Sequence, residues 1–274
     1  MISEQFATAL AAYGIDFWLL AILSALIVAI SKSGFGGGMG ALSAPLLLLV
    51  LPPQEALAIL LPIFLVTDVF VVWQWRHFGV WRLILPMVLF ASIGQLLGWW
   101  FMHLVNETAL VVMIALIALA SGGQYYLTLF FSQRASAAAQ QHSDRRSIRR
   151  KRRQIGARAS VWCSLSGVSS FVSLTGGIPV QIFILPLRLP RQFVVGTLAW
   201  YFLIINASKV PFYGQLALFS PSSIMISLCL LPILPFGIVL GKWLNRTMSD
   251  KVFYHLSYGF LIVLGLRLIY QVLI

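Results

Sequence analysis

The chain has 274 residues, 60% of them hydrophobic and only 9% charged, with a mean hydropathy of +0.93. A water-soluble domain carries roughly 25% Asp, Glu, Lys and Arg, so a soluble globular fold is excluded and the solvent of this surface is lipid. The net charge of +12 does not indicate nucleic acid, because nine of the 19 Lys and Arg residues crowd between Arg134 and Arg158 without interleaved aromatics.

A bilayer-spanning helix needs about 20 mostly apolar residues. The first apolar stretch, Asp16–Gly34, runs into the sequence SKSGFGGG and is followed by a shorter run, Ala41–Leu51. The two read as a broken or re-entrant pair. Glu55–Trp75, Val80–His103 and Glu107–Phe131 then read as full spans. Beyond the basic segment, Ala159–Leu174 and the shorter Ile178–Leu187 repeat the broken pair around TGGIP. Pro190–Pro211, Ser220–Trp243 and Val252–Ile274 are again full spans. No basic region precedes the first stretch and no small-residue cleavage site ends it, so removal as a signal peptide is not expected. Cys163 and Cys229 sit in apolar surroundings and imply neither a disulfide nor a metal site. No cofactor and no metal are expected.

The segment order repeats. Gly34 matches Gly167, Pro45 matches Pro179, Pro53 matches Pro190, and Gly94-x3-Gly98-x-Trp100 recurs as Gly237-x3-Gly241-x-Trp243. The expected fold class is therefore an all-α polytopic membrane protein of two inverted repeats, each a Gly-rich broken or re-entrant helix pair plus three full transmembrane helices. Residues 1–131 form the first repeat, 132–158 a basic cytoplasmic linker, mobile or weakly helical, and 159–274 the second repeat. Inversion follows from charge: it puts Arg188, Arg191, Lys242, Arg246 and Lys251 on the side of the linker, as the positive-inside rule requires. Both termini are then external. The linker, 134–158, is expected to lie on anionic lipid.

The first break holds Lys32, Ser33, Gly36, Gly37 and Gly38. Consecutive glycines let the backbone turn sharply and converge amide groups on an anion, and Lys32 adds a full charge. The alternative is close packing of small residues, with Lys32 snorkelling to the surface. Thr175, Gly176 and Gly177 take the corresponding place in the second half, where Ser166, Ser169, Ser170 and Ser173 either solvate an oxyanion or bond their own backbone. Asp68 lies deep in its span; its counterpart is Asn206, with Lys209 one helical turn further on. A charge at the bilayer centre costs roughly 2.5–3.5 kcal/mol on insertion scales, so a functional reason is the first expectation. Lys209 then binds an anion and Asp68 pairs with a cation or titrates; otherwise Asp68 is a fixed structural pair and Lys209 snorkels. The paired GxxxG motifs read as packing faces.

The leading span, the SGxGGG cluster, the apolar run ending near proline and the arginine-bearing loop resemble the sulfite exporter TauE/SafE family. The stretch TGGIPVQIFILPLRLPRQFVVGTLAWYFLIINASKVPFYGQL is similar to that family's later repeat. The resemblance covers residues 16–274 outside the basic linker, which departs from the family pattern. By position, Gly36, Gly37, Gly38 and Pro45 match the first glycine motif, Gly176, Gly177 and Pro179 the second, and Asn206 and Lys209 the later stretch. What the resemblance implies is an inner-membrane permease that exports sulfite or organosulfonates, with a small anion and the bilayer as partners; a homodimer is compatible with it. Two other readings stand beside it: an uptake permease for another small organic anion, and a non-transporting scaffold acting through the linker. An intramembrane serine hydrolase at Ser166 or Ser169 lacks a histidine within a span to serve as base, so the chain is not expected to be an enzyme.

Overall fold

The computed structural model describes residues 13–102, 104, 106–135, 145–184, 187, 189–247 and 249–273, and among them every regular element is helical. The first half contributes α1 (Ile15–Phe35), a 3-10 turn (Gly38–Leu42) leading into the short α2 (Ser43–Leu47), α3 (Pro53–Trp75), α4 (Trp81–Met102) and α5 (Glu107–Ala135). The second half contributes α6 (Arg145–Ser173), the short α7 (Gly177–Ile184) and α8 (Arg191–Gln215). It continues with α9 (Pro221–Leu230), joined through a 3-10 turn to α10 (Leu234–Thr247), and ends in α11 (Asp250–Leu273).

Five stretches among the described residues are long and apolar enough to cross a membrane: Ile15–Phe35, Pro53–Phe78, Trp81–Met102, Arg191–Gln215 and Pro221–Leu244. The chain is a multi-pass membrane protein. Its outward surface is correspondingly apolar, with Ile15, Leu85, Leu89, Trp100, Val239 and Leu266 all exposed. The first member of the first broken pair is longer than its reading as a mere piece required. At 21 residues α1 is about 31 Å long, because the glycine cluster falls after the apolar run and not within it. Only the returning member is short.

Both breaks are built on the same helix cap. At the end of α1 the Gly37 N–H reaches back six residues to the Ser31 carbonyl at 3.0 Å, with Gly36 and Gly37 at φ 69° and 86°. At the end of α6 the Thr175 N–H reaches the Ser169 carbonyl at 3.3 Å, but Leu174 holds the left-handed position at φ 56°. A non-glycine residue there costs roughly 1–2 kcal/mol. The two breaks touch, since a Cβ on Gly177 would meet the Gly37 carbonyl.

Helices pair across the halves: α4 along α6, α1 along α10, α3 along α8 and α5 along α11. Glycines set the first two contacts. A Cβ on Gly94 or Gly167 would strike the backbone of the facing helix at Ser164 or Ala91, and one on Gly34 or Gly241 would do so at Gly241 or Ile30. The GxxxG motifs are packing faces, where missing side chains let backbones approach. The contacts also fix directions. α1 and α3 run alike, joined by Tyr13–Glu55 at their starts and Lys32–Asp68 further along. α6 and α8 run alike, joined by Ser166–Tyr201 and then by Tyr213 with the Phe171 carbonyl. α3 and α8 run oppositely, with Asp68 beside Asn206 and Val72 clustered with Ala199.

These directions bring Arg76, Arg82, Arg158, Arg191 and Lys242 to one end of the bundle, where the loop after α3 packs on α8 through Phe78–Phe193 and Val80–Thr197. Asp16 and Glu55 lie at the other end. There the Tyr13 hydroxyl donates to Glu55 at 2.5 Å; burial, and then the adjacent carboxylate, push the phenol up to about 12. The basic sequence from Arg145 is helical and continuous with the apolar part of α6, so it belongs to a long helix and not to an irregular tether. Residues 136–144, the middle of the expected linker, lie outside the described residues.

Candidate functional site

Four helices deliver polar side chains to one buried point. Lys32 comes from the last turn of α1, where a cation complements the negative end of the helix. Asp68 comes from α3, Asn206 and Lys209 from successive turns of α8, and Ser170 from the end of α6. None of the five is more than 3% exposed.

The contacts form a continuous chain. Lys32 Nζ donates to Asp68 Oδ1 at 2.6 Å and to the Phe64 carbonyl at 3.5 Å. Asn206 Nδ2 donates to Asp68 Oδ2 at 2.6 Å, and Asn206 Oδ1 accepts from Lys209 Nζ at 2.8 Å. Lys209 also donates to Ser170 Oγ at 2.7 Å. The orientation of the Asn206 amide is fixed by having an acceptor at one end and an ammonium at the other. Aromatic faces complete the enclosure, with Lys32 Nζ 4.2 Å from the Phe64 ring centroid and 5.3 Å from that of Phe202. Both Asp68 oxygens are occupied by charged or strongly polar donors at short distance. Lys209 donates two of its three N–H groups within the described residues. Two basic side chains against one carboxylate are thus sealed inside the bundle.

A single face of α8 connects this chain to the glycine break. Leu198, Phe202, Asn206 and Lys209 recur at helical spacing. A Cβ on Gly36 would meet Leu198 and one on Gly37 would meet the Phe202 ring. The glycines therefore admit α8, and α8 in turn carries its polar residues to Lys32 and Asp68.

The sequence profile of the family described as Sulfite exporter TauE/SafE matches residues 21–268. The chain belongs to the TauE/SafE family. Neither a curated protein nor a solved structure matches it. TauE/SafE proteins form a family of membrane transporters, and the match runs through both glycine breaks and every residue of the buried chain.

In this TauE/SafE member Lys32, Asp68, Asn206 and Lys209 come together, although they arise from three helices. Neither lysine snorkels; both are enclosed. Ser33 points elsewhere: its hydroxyl bonds the Ala29 carbonyl at 2.7 Å, and it packs on Gly241. Thr175 bonds Ser173 Oγ at 2.6 Å within its own break. Ser169 and Ser173 return their hydroxyls to their own helix, at 2.8 Å each, while Ser166 reaches the Gly176 carbonyl at 2.6 Å and Tyr201 at 2.8 Å. Of the serines in this stretch, Ser170 is the one that meets a charged group. Gly38 and Gly176 are close-contact positions, against Gln181 and against Ser166 and Ser170 respectively. Sequence reasoning did not single out Gln181, Phe64 or Phe202. Neutral amides and phenylalanines in apolar helices carry no pattern that marks them, and only the fold places them against glycine and ammonium.

Proposed function

We propose that this protein is a secondary transporter that carries small sulfur-containing anions, sulfite or organosulfonates, outward across the bacterial inner membrane. The observation that supports this reading best is the enclosed chain Lys32–Asp68–Asn206–Lys209, with two basic side chains against one carboxylate beside two glycine-rich helix breaks. Lys209 and Lys32 attract the anion. Asp68 is the resident counter-ion that holds Lys32 when the site is empty and yields it when an anion arrives. An inside-negative potential favours outward movement by about 2.3 kcal/mol per charge per 100 mV, so export needs no coupling ion.

The halves are read as inverted repeats. Supporting this are the crosswise pairing of α1 with α10 and α4 with α6, and the opposed directions of α3 and α8. Sites in such architectures form where broken helices meet near the midplane. The basic end faces the cytoplasm under the positive-inside rule, and the basic start of α6 rests on anionic lipid. That last contact has a physical motive, because cations gathered at a helix N-terminus oppose the helix dipole and need anions nearby.

The test is flux into and out of proteoliposomes for sulfite, thiosulfate, sulfoacetate, sulfate and acetate, with and without a proton gradient. Saturable movement of at least one sulfur anion is expected, together with a loss of at least about tenfold in Lys209→Ala at unchanged protein content, the equivalent of one charged hydrogen bond. Absence of saturable flux for every sulfur anion overturns the substrate assignment. Deleting residues 136–153 separates a transporter, which keeps its flux, from a scaffold, which does not need any.

A further inference from the structure

Gln181 is only 2% exposed, and its amide tip lies directly over Gly38 at the junction of the two breaks. Its Nε2 donates to the Phe35 carbonyl at 2.9 Å. Its Oε1 is buried and has no hydrogen-bond partner among the described residues. The amide cannot be turned over to cure this, because the carbonyl oxygens of Gln181 and Phe35 would then face each other. A buried acceptor left unmatched keeps the full penalty of its lost hydration, and buried acceptors are otherwise almost always paired. The residue beside Gly38 in the chain, Gly37, lies against the Phe202 ring, whose centroid is 5.3 Å from Lys32 Nζ, so the acceptor and the lysine flank the same stretch of the break.

We infer that the transported species is a monoanion that also carries a hydrogen-bond donor, an O–H or N–H, and that Gln181 Oε1 receives it. The charge half is the pair of basic side chains, Lys32 and Lys209, held against the one carboxylate of Asp68. The donor half is Gln181, because a fully deprotonated oxyanion has only acceptors and leaves Oε1 as it stands. Hydrogen sulfite, a hydroxyalkyl sulfonate or sulfamate satisfies both halves; sulfate and simple alkyl sulfonates satisfy neither or only the first. The amide thus selects by donor content, in the way that a site built to bond a hydroxyl rejects the analogue lacking it. This inference rests on the transport reading above.

Sulfamate and methanesulfonate separate the two halves, being monoanions of nearly equal size in which an N–H donor replaces a methyl group. In proteoliposomes of the intact chain, sulfamate is expected to compete with sulfite at least about tenfold more strongly than methanesulfonate does, the equivalent of one hydrogen bond to a buried acceptor. Gln181→Met, which keeps the volume and removes the acceptor, should bring the two competitors to within about twofold. If that variant fails to reach the membrane, Gln181→Asn, which withdraws the carbonyl by one methylene, should give the same collapse. Equal competition in the unaltered chain overturns the inference and leaves the transport reading standing, as does a preference that survives both substitutions. If sulfite itself is not moved, the transport reading falls and this inference with it.

Discussion

Asp68 has two oxygens and each is assigned: one to an ammonium of its own half, the other, through Asn206, to an ammonium of the opposite half. Removing its charge strands Lys32 in an interior with no substitute anion. Asp68→Asn is therefore expected to destabilise the protein by about 3–5 kcal/mol, the usual cost of breaking a buried pair from one side, measured as a lowered unfolding midpoint in detergent. Removing both charges while keeping an acceptor for the Asn206 amide is a different perturbation, because Lys32 is no longer stranded. The double variant Lys32→Met/Asp68→Asn should lie closer in stability to the unaltered chain than Asp68→Asn alone does and yet lose sulfite flux in proteoliposomes. If the double variant transports normally, the pair is structural and the site lies elsewhere. The members of this cluster were legible in the sequence as charges and an amide inside apolar spans, which rarely occur without cause. Their partners were not. Lys32 and Asp68 are 36 residues apart, and nothing in either local pattern distinguishes a pairing from two independent sites.

Helices in this bundle meet at glycines, and the consequences differ from one glycine to the next. Gly94 faces the backbone of α6, so an added methyl group must push two helices apart, whereas Gly123 on α5 has open space where its Cβ would go. Gly94→Ala is expected to cost about 1–3 kcal/mol through overpacking. Gly123→Ala is expected to be neutral or to gain up to about 1 kcal/mol from helix propensity. Unfolding midpoints measured side by side decide this, and equal shifts would mean that the α4–α6 contact is not set by backbone approach. The GxxxG spacing announced these faces in the sequence but not which helix each would meet. The extent of α1 and the helical start of α6 were less visible. Glycine lowers helix propensity, and in the arginine run like-charge repulsion opposes a high propensity, so packing against α10 or continuity with an apolar helix decides the outcome. Leu174 marks the limit of motif reading: it does the work of Gly36 in the second half without being a glycine.

For the molecule as a whole, the gathering of Arg76, Arg82, Arg158, Arg191 and Lys242 at one end, against Arg267 toward the other, fixes an expected orientation. In a chain with Cys163 and Cys229 replaced by serine, a cysteine at the exposed position Gln54 should react with an impermeant maleimide added to intact cells. One at the exposed position His77 should react only after permeabilisation. The reverse pattern overturns the orientation, and labelling of both from outside overturns the topology. The all-helical, membrane-spanning plan could be read from the lengths of the apolar stretches. The contacts across the halves could not, since they depend on which faces of ten or so similar helices prove complementary.

The crosswise seating of α1 on α10 and of α4 on α6 bears on how the protein is made. When the ribosome has finished the first half, α1 and α4 are in the membrane with their glycine faces bare, and their cognate surfaces do not yet exist. Neither half contains its own complement, so α4 must wait, exposed to quality control, for about 40 further residues, to Ser173, and α1 for about 110, to Thr247. A gene cut between the codons for residues 135 and 145 should thus yield two fragments that are degraded when expressed singly and rescued when expressed together. Survival of either fragment alone would show that the halves mature independently.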